Sequence, residues 1–255
     1  MKELLDLLIC EFEKLKRRKF VLLTILAAFL FPVPLTYFMV QDKMDFSQLF
    51  RANVLMGILL LLPIVLGIIA SILFLSERDN DTLKNILTIP VSKSKLLAAK
   101  LGVLFILGVF YTMAGLGATL IGGILTGKVT HLPLYIGVSI VLGLTVMIAT
   151  LPIVIIIVAS NKSYVFSIIV SVVYSIIGFS ICMLFASAPD TVNDFAMIVP
   201  VSNILKWYLG IVPMEEGLSY VLPYTISTPV FISIMGFYLL VFGAIASFFY
   251  KRVEY

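Results

Sequence analysis

Charge is scarce in this chain: 13% of its 255 residues are Asp, Glu, Lys or Arg, against 61% that are hydrophobic, and the mean hydropathy is +1.15. A water-soluble domain of this length needs far more polar surface, so the solvent that fits is a bilayer. Histidine occurs once, at His131, which leaves zinc sites and imidazole catalysis short of their usual groups. The two cysteines, Cys10 and Cys182, have no metal or redox spacing, and a disulfide between them would have to cross most of a membrane. The apolar runs themselves contain no Asp, Glu, Lys, Arg or His, although ion-coupled carriers place a group that changes charge there. No cofactor and no metal site is expected within the chain. The net charge of +4 does not point to nucleic acid, because the basic residues flank the apolar runs instead of clustering on one soluble face.

What the chain has in abundance is long hydrophobic runs. A helix needs about 20 apolar residues to cross the hydrocarbon core, and six segments qualify: 20–40, 54–75, 101–125, 134–159, 164–186 and about 225–250. The expected fold is all-α and polytopic, a single six-span domain over 20–255 preceded by an amphipathic helix over 1–19. With both termini cytoplasmic, every Lys and Arg but Lys43, Arg51, Lys128 and Lys206 falls inside, as the positive-inside rule requires of a protein in the cell membrane. The first run is too long for a signal-peptide core and lacks a small-residue cleavage site, so it reads as a retained anchor. Pro32, Pro34, Pro63 and Pro152 are expected to kink spans.

Three segments lie outside the runs. In 1–19, Leu4, Leu5, Leu8, Phe12 and Leu15 recur at helical spacing. This predicts a helix on the inner leaflet with Lys14, Lys16, Arg17, Arg18 and Lys19 at anionic head groups. The outer segment 187–224 carries a stripe of Val201, Ile204, Leu205, Tyr208 and Leu209, with Ser202 as a cap and Trp207 suited to the membrane boundary. It reads either as short surface helices or a re-entrant hairpin capping an outer exit, or as an extracellular linker resting on head groups. The third segment, 76–95, is polar. Asp79, Asn80 and Asp81 offer N-cap oxygens, Leu83, Ile86 and Leu87 make an apolar stripe, and Pro90 ends the helix. A helix of about ten residues is marginal alone in water, so it should lie on lipid or in a partner's groove.

The order Glu77, Thr82-Leu83, Ile86-Leu87, Pro90-Val91-Ser92-Lys93 and Lys100, after the basic opening Glu11 to Arg18, resembles the ABC-2 class of membrane permeases. These are six-span subunits of ATP-driven exporters. The chain is similar in particular to the small permeases of bacteriocin (lantibiotic) self-protection and bacitracin resistance. It departs from the pattern with Asp81 where Gly is common and with Thr88-Ile89 before Pro90. The resemblance implies that residues near 77–92 form a coupling helix seated in ABC ATPase subunits. Leu83, Ile86 and Leu87 would then anchor it, and Glu77 and Asp81 would orient it. It further implies a non-catalytic permease paired with a second one, identical or homologous. ATP and magnesium would bind the partner ATPase, and the substrate would be an amphiphilic antimicrobial peptide or a lipid-linked compound.

Other motifs fail. Gly122 to Lys128 nearly spells a phosphate-binding loop, but Val129 stands where Ser or Thr belongs. Glu215-Glu216 matches the paired glutamates of intramembrane proteases without the histidines those enzymes need. Besides that distant protease reading, the alternative is a secondary transporter or a membrane component of a sensory complex, either without an ATPase.

Overall fold

With no water inside a bilayer to satisfy amides, a chain of this composition must close its backbone hydrogen bonds within helices. The computed structural model describes residues 2–16, 19–41, 45–79, 92–126, 129, 131–160, 163–213 and 216–252, and all regular structure among them is helical. In order these are α1 (Lys2–Lys16), α2 (Lys19–Leu30), α3 (Pro32–Gln41) and α4 (Phe46–Ala52). A π-helical segment (Asn53–Leu61) then leads directly into α5 (Leu62–Asp79). There follow α6 (Lys93–Thr126), α7 (Leu132–Ser160), α8 (Tyr164–Ser187), α9 (Pro189–Ile198), α10 (Pro200–Ile211), a 3-10 segment (Glu216–Tyr224) and α11 (Thr228–Arg252).

Among the described residues, five helices are long and apolar enough to cross a membrane: Phe46–Leu75, Lys93–Leu125, Leu132–Ser160, Tyr164–Ser187 and Thr228–Arg252. They carry the second to sixth runs. The first run differs from the single helix expected, because α2 stops at Leu30 and α3 restarts at Pro32. Proline has no N–H, so Pro32 and Pro34 leave the carbonyls of Ala28 and Leu30 without their helical donors. Phe31, just before, still donates to Ala27 O at 2.8 Å. The helices also outrun the apolar stretches. As a result Arg51 and Lys100, outside the runs in sequence, lie within helical rods.

The centre is α7, whose residues from Thr145 to Leu151 are all buried. A helix apolar on every side belongs inside the bundle. Here α6 and α11 pack along it, α5 and α8 pair beside it, and α1, α2 and α3 lie along α6. The α6–α7 crossing brings backbones into contact. A Cβ on Gly143 would sit 2.7 Å from Val109 Cα, and one on Gly108 would sit 2.6 Å from Gly143 O. Gly143→Ala is therefore expected to force the two helices apart at a cost of about 1–3 kcal/mol. The check is the thermal unfolding midpoint in detergent, and an unshifted midpoint would count against so close a crossing. Gly122 and Gly123, part of the near phosphate-loop motif, make room for Thr36, Leu49 and Phe46 instead. Gly127 and Lys128 lie outside the described residues.

Residues 189–211 fold as a helical hairpin, α9 then α10, and α10 is buried from Pro200 to Leu209. Ser202 does not cap it, contrary to the expectation. Val199 holds the cap position and Pro200 starts the helix, where a missing N–H costs nothing. The Ser202 hydroxyl donates backwards instead, to Ala196 O and to Val199 O (2.8 Å). Asn203 Nδ2 donates to Met197 O (2.8 Å) and Val199 O (3.1 Å). Lys206 Nζ donates to Asn193 O and Oδ1, both at 2.9 Å, and the Tyr238 hydroxyl of α11 to Met197 O and Ile198 O. The last carbonyls of a helix have no internal partners. Those of α9 find theirs on α10 and α11, which lets the hairpin end inside protein. Trp207 is only 3% exposed. It stacks on Phe231 with ring centroids 4.6 Å apart, and its Nε1–H donates to Thr228 Oγ1 at 3.3 Å.

Candidate functional site

Asp81, Leu83, Ile86, Leu87 and Pro90 lie outside the described residues, as do Arg17 and Arg18. Glu77 belongs to the last turns of α5. What the structure does define is the root of segment 80–91, the two helix ends from which it leaves and returns.

Helical spacing builds that root. On α1, Leu8, Glu11 and Leu15 fall on one face, three and four residues apart. The face rests on α6, where Leu8 Cδ1 lies 2.9 Å from where a Cβ on Gly102 would stand. Glu11 is thereby 2% exposed, and it meets Lys100 of α6, which is fully buried. Lys100 Nζ donates to Glu11 Oε2 at 3.1 Å and to Leu73 O of α5 at 2.6 Å. The same ammonium lies 5.5 Å from the centroid of the Phe74 ring, and Phe74 packs edge-on against Tyr250 of α11 with centroids 5.8 Å apart. Glu11 Oε1 also accepts from Lys14 Nζ at 2.5 Å. At the rim, Lys95 pairs with Glu3 at 2.6 Å, and Lys93 Nζ donates to Lys251 O at 3.3 Å.

One buried ion pair thus ties α1, α5 and α6 together, with α11 held alongside. Desolvation makes such a pair a poor source of net stability and a strict fixer of geometry, because neither charge can leave without stranding the other. The pair holds α5 and α6, the helices that flank residues 80–91, to each other and to α1. Sequence reading missed Glu11, which it grouped with the basic opening. The available signal was its place between Leu8 and Leu15 on the stripe.

Of the residues expected at the interface, Lys14 is engaged with Glu11, Lys16 lies 3.5 Å from Glu13, and Lys19 is exposed. Helix α1 rests on protein and keeps Leu5 and Ile9 exposed along another edge. Among the described residues, no group of three His, Cys, Asp or Glu could hold a metal ion.

Two cavities lie along the opposite stretch of α6. One, of about 190 Å³, is partly open and lies between α2, the π-helical segment, α5 and α6, with Thr24, Ala28, Phe31, Asn53, Val65 and Tyr111 in its wall. The second, of about 490 Å³, lies between α2–α3 and α6 against Phe29, Val33, Tyr37, Ala118, Ile121 and Leu125. Both are predominantly apolar.

Residues 7–178 match the family described as ABC-2 family transporter protein. The match takes in most of α1 and all of the chain from there well into α8, and it stops before the hairpin. No curated protein matches the chain.

Proposed function

The chain belongs to the ABC-2 family of transporter proteins, and from that premise we propose that it is a permease subunit driven by a separate ATPase through a coupling helix near residues 77–92. The observation that carries the coupling role is the buried Lys100–Glu11–Leu73 junction at the base of that segment. In this reading Leu83, Ile86 and Leu87 seat in a cleft of the ATPase, Glu77 and Asp81 set the orientation, and Pro90 ends the seated helix. ATP and magnesium bind the partner, whose closure moves α5 and α6 together.

The finer features follow the same reading. Broken helices α2 and α3 make a first crossing, for six in all, with both termini on the cytoplasmic side of the cell membrane. Lys14, Lys16, Arg17, Arg18 and Lys19 hold the N-terminal helix near anionic head groups. A second permease, identical or homologous, completes the pathway. The apolar cavities support an amphiphilic substrate, such as an antimicrobial peptide or a lipid-linked compound.

The test is the combined variant Leu83→Ala, Ile86→Ala and Leu87→Ala. Truncating three anchors of one small interface removes most of its apolar contact. Co-purification of the cognate ATPase is expected to fall at least about tenfold, while the permease keeps its helical content and stays monodisperse. Undiminished association would overturn the coupling role.

A further inference from the structure

We propose that residues 53–61 are a register joint, whose wide π-helical turns tighten to α-helical ones and loosen again as α5 shifts along its axis. The drive rests on the reading that a coupling helix near 77–92 moves α5, while the joint itself is read from the fold.

The joint is a change of hydrogen-bond spacing within one continuous rod. Asn53 N–H donates to Leu49 O, four residues back, whereas Leu62 N–H donates to Gly57 O, five back. The π-helical stretch covers nine residues, although such turns are rare, mostly single, and frequent at functional sites. The wide register also leaves a polar atom unserved. Asn53 Nδ2 is buried against Gly115, where a Cβ would lie 2.8 Å away, and it has no hydrogen-bond partner among the described residues. Buried amide donors are seldom left so.

The neighbours hold the two ends of the joint differently. On one side α4 is pinned by aromatic contact, Phe46 and Phe50 meeting Tyr135 of α7 edge-on with centroids 4.9 and 4.8 Å apart. On the other, Leu73 O accepts from Lys100, so the far end of α5 is fastened to α6. Against α8 the rod slips. Gly67 and Ser71 share one face of α5, and Ser167, Ser171 and Ser175 one face of α8; a Cβ on Gly67 would lie 2.8 Å from Ser171 Cβ. The Ser71 hydroxyl donates to Ile68 O, and those of Ser167 and Ser171 to Ser163 O and Ser167 O. Each bond stays within its own helix, so none of the three ties α5 to α8. A further side of the rod has room, where Ile58, Leu61, Leu62 and Val65 line the cavity of about 190 Å³. One residue passed between registers shifts a helix by about 1.5 Å along its axis, the size of step that carries helix-shift transitions.

The experiment uses the full-length protein in nanodiscs with Cys10→Ser and Leu61→Cys, the new thiol carrying a trifluoromethyl label. Leu61 is 36% exposed at the end of the joint, and Cys182 is too buried to react. Helix register shifts fall on the μs–ms scale, which fluorine relaxation dispersion reads. Without any ATPase the label is expected to show an exchange contribution. Deletion of Met56 should cut it at least about fivefold, because one residue fewer lets the α-helical ladder run unbroken. If that variant does not fold, Gly57→Ala takes its place. A Cβ there would lie 2.6 Å from Asn53 Oδ1, so it disfavours the wide register and should cut the exchange likewise. Flat dispersion in the intact joint, or dispersion that neither change reduces, overturns the proposal. Adding the cognate ATPase with a non-hydrolysable ATP analogue should move the resonance. A resonance that stays in place, with dispersion still dependent on Met56 or Gly57, would count against the ATPase reading and leave the joint standing.

Discussion

Lys100→Met is expected to lower the stability of the folded protein by about 3–5 kcal/mol, the usual cost of stranding one half of a buried ion pair. The loss has two parts. Glu11 would remain buried with only the partly exposed Lys14 beside it, and Leu73 O would lose its charged donor. A Met side chain fills similar volume, so the effect reports charge and hydrogen bonding more than cavity formation. The double variant Glu11→Leu, Lys100→Met removes both charges and should recover most of the loss, because replacing a whole buried pair with apolar groups is often neutral. Thermal unfolding in detergent gives the magnitudes. Limited proteolysis of residues 1–16 should show α1 released in the single variant and held in the double. A single variant as stable as wild type would mean that the pair does not lock the root. Activity separates the roles further: the double variant should fold, yet with the polar lock gone it should respond less to its ATPase.

Lys206→Met is the second large effect, a loss of about 2 kcal/mol. The ammonium donates to Asn193 O and Oδ1 and lies 4.9 Å from the Phe185 ring centroid. Hydrogen bonds from a charged donor are worth about 1.5–3 kcal/mol, and relief of lysine desolvation offsets part of that sum. The pH dependence gives an independent reading. Burial pulls the Lys206 ammonium below the ordinary lysine value of 10.5, and Asp194 opposes the shift. Between the folded-state value and 10.5 the unfolded chain binds more protons, so this group makes stability rise with pH across that window. Below it the lysine is charged in both states and contributes no slope. Lys206→Met should flatten the rise, and an unchanged alkaline slope would refute the assignment.

The two predictions bear on different kinds of information. The last five apolar runs could be read as helices because a backbone in hydrocarbon must satisfy itself, but their ends could not, since the helices run on past the apolar residues to take in Arg51 and Lys100. The break at Phe31 was half readable: the prolines announce a kink, but whether a run of apolar residues survives it depends on the packing of α2 and α3 against α6. From sequence Ser202 was expected as a cap, and Asn203 and Lys206 were given no role on α10. Their purpose could not be read because the carbonyls they serve belong to α9, and no local pattern records which helix end will dock there.

What the amino acids alone determined is the solvent, the helical class and the family. Each of these depends on composition or on short contiguous patterns: apolar length, flanking charge and the residues around Pro90. What only the tertiary structure decided is which polar groups meet. Glu11 and Lys100 are far apart in sequence, and Asn53 faces Gly115 across a helix interface. A buried polar atom is governed by its nearest neighbours at about 3 Å, and those neighbours exist only after distant helices have packed.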